Sequence, residues 1–193
     1  MSASAVRYLS TAITILVLES VILLYGQTKP VLPETVTKEF AKANAGIETA
    51  VISLAEAMPE DKYSFVPTNG QYKGVRSFAQ LVKHVAVDNY VDAAALLREK
   101  PPIDVGAHEN GPDAIKSKAQ ILQFVRDSFA YMQKAIRTVN QDNLMEPIQF
   151  PAGASATIPR LRIVDAAMAH PWDIYGQMIE YLRMTGIDPQ AKR

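Results

Sequence analysis

Between Ala114 and Asn140 the chain reads AIKSKAQILQFVRDSFAYMQKAIRTVN. Ile115, Leu122, Phe129 and Ile136 recur every seven residues, and Val125, Met132 and Val139 repeat them three residues further on. Such spacing lays one apolar stripe along a helix, as in helices that pack inside a bundle. Asp113 stands where an N-cap belongs. The spacing therefore predicts a helix over 114–140 whose stripe is buried against helices of the same kind.

Working outward, three more helices follow the same logic. Ser77-Phe78-Ala79-Gln80 has the form of a capping box, and the helix it opens is stopped near Lys100 by Pro101-Pro102. Leu81, His84, Asp88, Val91 and Ala95 share one stripe of it. An earlier helix is predicted from Thr35 to Met58, with Phe40, Ile47 and Leu54 at steps of seven and Pro59 as its stop. The last spans Arg160 to Thr185, with Gly186 suited to a left-handed C-cap and Pro189 beyond it. Residues 58–76 and 141–159 read as loops rich in Pro and Gly, and no segment shows strand period. The fold class is all-α, a four-helix bundle. The loops after the first and third helices are long enough to cross its end, so the order of neighbours stays open.

Ahead of the bundle, Arg7 precedes an apolar run from Tyr8 to Tyr25, closed by Gln27-Thr28-Lys29. Residues 1–27 read as a secretory signal, or as an N-terminal membrane anchor if they are not removed. Glu19 interrupts the run, which departs from a signal's apolar core, and it would cost about 3 kcal/mol at mid-bilayer, which argues against the anchor. Residues 28–38 form a linker, 39–189 the bundle and 190–193 a tail. The expected location is periplasmic or extracellular, or membrane-anchored through 1–27.

Composition narrows the chemistry. Lys plus Arg and Asp plus Glu are both 20, so no cationic excess is available to neutralise phosphates, and nucleic acid is not expected as a partner. The absence of cysteine removes thiolate ligands, disulfides and thiol nucleophiles together. Any metal site must be built from carboxylates and from His84, His108 and His170. His84 lies on the apolar stripe of the second helix and His170 lies within the fourth. A histidine turned into a bundle must be hydrogen-bonded or ligated, and facing helices are where bundles build metal sites. His108, in a Gly-containing polar loop, reads as a solvated residue.

Three stretches together resemble the DinB-like family of four-helix-bundle proteins. They are Ser77-Phe78-Ala79-Gln80-Leu81-Val82-Lys83-His84-Val85-Ala86, leading to Asn89-Tyr90; His170-Pro171-Trp172-Asp173-Ile174-Tyr175-Gly176-Gln177, followed by Tyr181 to Pro189; and Ala57 to Phe65 between the first two helices. The likeness runs from about Glu39 to Pro189. It implies a metal-binding histidine on the second helix and a His-x-x-x-His pair on the fourth. His84 and His170 match, but the second histidine of the pair is replaced by Ile174. Asp173 is the expected substitute if Pro171 distorts the helix, because on a regular helix it points about 100° away from position 174. Asp88, one turn after His84, is a second carboxylate that either ligates or fixes the His84 ring.

The resemblance implies a divalent cation, zinc or nickel, held by His84, His170 and Asp173. With it would come a hydrolase or a thiol-dependent transferase acting on a small molecule or thiol cofactor. The assembly stays open, a homodimer included. The other reading is a non-catalytic, metal-free binding or structural bundle that has lost its third ligand at Ile174. Trp172, Tyr175 and Tyr181 read as packing residues, and Gly176 as a point of close helix contact.

Overall fold

A computed structural model describes residues 34–67 and 73–189. The signal or anchor expected over 1–27 and the tail at 190–193 lie outside the described residues. No helix among the described residues is long and apolar enough to cross a membrane.

Two serines decide where the middle helices begin. Helix α2 (Phe78–Leu97) opens on the predicted box, in which the Gln80 amide donates to Ser77 Oγ at 3.3 Å and the Ser77 amide donates to Gln80 Oε1 at 2.8 Å. Helix α3 (Lys118–Ile136) opens on a second box, Ser117 with Gln120, and not on Asp113. This corrects the predicted start. Residues 112–115 instead close a separate turn, in which Ile115 N donates to the Pro112 carbonyl and Lys83 Nζ donates to the carbonyls of Pro112 and Ile115.

Helix α1 (Glu34–Ala57) begins inside the expected linker and ends two residues before Pro59, where a short 3₁₀ turn (Glu60–Lys62) follows. Helix α4 (Arg160–Met184) runs unbroken through Pro171. It ends as predicted on Gly186, at φ +80°, with Ile187 N donating to the Leu182 carbonyl and Gly186 N to that of Arg183. The segment before α4, read as loop, holds a hairpin. Strand β1 (Pro147–Gln149) pairs antiparallel with β2 (Thr157–Pro159), with Ile148 opposite Ile158 and Ile148 buried. Strands of three residues are too short to show a period, which is why the sequence hides them.

Hydrogen bonds between helix ends fix the topology. At one end Lys118 Nζ, at the start of α3, donates to the carbonyls of Glu56 and Met58, and Lys62 Nζ donates to Thr185 at the finish of α4. At the other end Thr37 Oγ1 donates to the Val139 carbonyl, and Arg160 Nη1 donates to that of Leu96. Helices α2 and α3 are therefore parallel to each other and antiparallel to α1 and α4. Each of α1 and α2 packs on both α3 and α4. The α1–α2 and α3–α4 pairs thus stand across the bundle diagonals, and both of those loops cross its end. Residues 98–117 must return the length of α2, and they cover its outer side. That cover explains why α2 is buried continuously from Leu81 to Val87 when a surface helix would show a polar face.

Candidate metal centre

His84 and Asp88 are four residues apart on α2, so they leave the helix on one face, one turn apart. The antiparallel α4 sets His170 opposite them. Asp88 Oδ2 lies 3.4 Å from His84 Nε2 and 3.3 Å from His170 Nε2, and the two imidazole nitrogens are 3.4 Å from each other. The rings meet edge to face at 85°. Three donor atoms of three side chains thus form a nearly equilateral triangle.

Each corner has its own surroundings. His84 is buried, and its Nδ1 lies 3.1 Å from the Glu109 carbonyl oxygen. A carbonyl can only accept, so Nδ1 carries the proton and Nε2 keeps its lone pair toward the triangle. Burial lowers the His84 pKa, opposed by that hydrogen bond and aided by the Arg76 charge, which keeps the ring neutral. Asp88 Oδ2 is buried and makes no hydrogen bond. Burial, then the Asp92 and Glu109 carboxylates, push Asp88 up to about 8, against a lowering pull from Arg76. Asp92, one further turn along α2 and also buried, is pushed up to about 7. His170 is the open corner, with 45% of its side chain exposed.

This donor set fits a divalent cation. A tetrahedral zinc with ligands at about 2.0–2.1 Å has ligand atoms about 3.3–3.4 Å apart, the edge length of the triangle. Six-coordinate geometry at similar bond lengths would need edges nearer 3.0 Å. The orphaned Asp88 oxygen is the atom that a cation would satisfy, and the proton held at neutral pH by the raised pKa is what the cation would displace.

His84, Asp88 and His170 are the group among the described residues able to hold a metal ion. Asp173 is not in that group. It is exposed, and its Oδ2 accepts from Gln177 Nε2 at 3.1 Å. Helix α4 passes Pro171 without the distortion that would bring Asp173 inward. Ile174 is 2% exposed and belongs to the apolar core. Tyr181 packs against Phe65 and Phe78 and donates its hydroxyl to the Arg76 carbonyl, while Trp172 is exposed beside Tyr175. Gly176 faces open space, so it makes no close helix contact. Asp92 and the Glu109 carbonyl were not foreseen. The period of α2 places Asp92 beneath Asp88, whereas nothing in the local sequence shows where the crossover passes.

A family model, the DinB superfamily, matches residues 47–178. The fold is similar to the crystal structure of a DinB-like protein from Bacillus cereus, with a TM-score of 0.64 at 12% identity, over 81% of this chain and 97% of that one. No curated protein matches the sequence.

Proposed function

The chain belongs to the DinB superfamily, and from that membership and the triangle of donor atoms we propose that it binds a divalent cation through His84, Asp88 and His170. In this reading the third ligand has moved from α4, where Ile174 now stands, to α2. The mutual spacing of 3.3–3.4 Å is the observation that supports it. Zinc is the favoured ion, since two imidazoles and one carboxylate at tetrahedral spacing suit it better than six-coordinate nickel. Three protein ligands would leave a bound zinc open to a water or substrate, as catalytic zinc sites are and structural ones are not, and the exposed His170 gives the site access from solvent.

A cation there supplies Lewis acidity, enough to bring a bound water or thiol toward neutral pKa. The chain's own residues do the rest. The Glu109 carbonyl fixes the His84 ring, and Asp92, one turn beyond Asp88 on α2, adds a second buried carboxyl near the site. A metal-dependent hydrolase or a thiol-dependent transferase follows, acting on a small molecule. A metal-free binding bundle is the second reading, and the raised Asp88 pKa favours it, because a protonated carboxyl could hydrogen-bond the imidazoles unaided.

Metal analysis of the purified full chain separates the two. The first reading expects about one zinc per chain, lost in His84→Ala and in His170→Ala. An empty, fully folded protein that does not take up added zinc supports the second. Export or anchoring through residues 1–27 remains a proposal from sequence, read by whether the mature chain begins near residue 27 or keeps Met1.

A further inference from the structure

The crossover that returns along α2 carries unusual backbone. Gly106, His108, Glu109 and Gly111 all have positive φ, at +70°, +56°, +58° and +74°. Left-handed backbone is free for glycine and unfavourable for histidine and glutamate. The side chains of His108 and Glu109 are exposed, so no buried packing of theirs explains it.

The backbone groups do explain it. Gly111 N donates to the Val105 carbonyl and Asn110 N to that of Ala107, which closes the turn. It is closed so tightly that a Cβ on Gly106 would lie 2.2 Å from Gly111 O. Arg76, just before α2, then clamps the turn from outside: Nε donates to Asn110 Oδ1 and Nη2 to the His108 carbonyl, each at 2.9 Å. The carbonyl between those two anchored residues is that of Glu109, and it faces His84 Nδ1 at 3.1 Å.

The charge of Arg76 acts on two corners of the site. It disfavours positive charge at His84 while favouring the Asp88 carboxylate, so its electrostatic effects on the site oppose each other and the geometry of its hydrogen bonds is the more specific feature.

We propose that residues 105–111, clamped by Arg76, are a positioning element that holds His84 as the Nδ1–H tautomer and so presents Nε2 as a ligand. The clamp is geometric. A planar guanidinium can reach a side-chain oxygen and a carbonyl two residues apart at once, and a lysine cannot. The consequence for metal affinity rests on the cation reading given above; the tautomer does not.

The test uses the full chain with three variants, Arg76→Met, Arg76→Lys and Asn110→Ala, and zinc as probe. The imidazole nitrogen shifts of His84, read by NMR without metal, report the tautomer directly. The wild type should show one form, protonated at Nδ1, and Asn110→Ala and Arg76→Met should show a mixture. Zinc binding should weaken by about 10- to 100-fold in both, as loss of an outer-shell partner does. Arg76→Lys should follow them although it keeps the charge. An Nε2–H tautomer in the wild type, or one left unchanged by all three variants, overturns the proposal. So does tighter zinc binding in Arg76→Met, which relief of repulsion between Arg76 and the cation would give if no clamp were lost. If Arg76→Met does not fold, Asn110→Ala, in an outer loop with every charge retained, decides. If the wild type binds no zinc, the cation reading fails and the shifts still judge the clamp.

Discussion

In the metal-free chain the Asp88 carboxyl is pushed up to about 8, with burial as the first cause. Its unfolded value is near 3.8, so between about pH 4 and 8 the folded chain holds a proton that the unfolded chain has released. Folding stability from this group is therefore fullest below about pH 4 and declines as pH rises toward 8. Asp92, pushed up to about 7, acts in the same direction. Replacing Asp88 by Asn removes the titration and keeps the shape. The metal-free Asp88→Asn variant should melt at least about 3 °C above wild type at pH 7.5, which a calorimetric scan reads. Zinc binding reverses the sign, since it needs the carboxylate. Its affinity should rise with pH by up to about tenfold per unit below 8 and flatten above, as followed by competition titration. Loss of the neutral-pH slope in Asp88→Asn would assign that proton to Asp88.

At the scale of elements, the second serine box is the clearest instance of local chemistry overruling a longer pattern. The heptad that begins at Ile115 invites a helix from Ala114, yet α3 waits for Ser117. Ser117→Ala should cost about 1 kcal/mol, read as a shift of the denaturation midpoint, whereas Asp113→Ala should leave α3 capped and the midpoint nearly unmoved. Where the heptad lies inside the helix it reads correctly. Phe129 is fully buried in the apolar core and Phe129→Ala should cost about 3–5 kcal/mol, through lost burial and the phenyl-sized space it leaves.

For the molecule as a whole, what could be read in advance was what repeats along one helix. Four helices, their approximate limits, the Gly186 cap and the inward place of His84 all follow from periods and punctuation. The partnership of α2 with α4, and hence the meeting of His84 with His170, rested on likeness to a family, because periodicity says nothing about which helices are neighbours. Asp173 is the expected substitute for the missing ligand at 174 only if Pro171 bends α4, and α4 runs on as a helix through that proline. Asp88 closes the triangle because α2 and α4 are antiparallel neighbours and His84 and Asp88 share a face. The crossover's cover over α2 lay beyond reach for the same reason, since residues 98–117 reveal their course only when α2 and α3 are known to be parallel.

Zinc affinity of Asp88→Asn set beside that of Asp173→Asn, both in the full chain at pH 7.5, is the decisive comparison. Asp88→Asn should lose binding by 100-fold or more (about 2.7 kcal/mol), and Asp173→Asn should stay within about twofold of wild type. The opposite ranking, with Asp173→Asn the damaging change and Asp88→Asn neutral, would contradict the assignment of Asp88 as the third ligand.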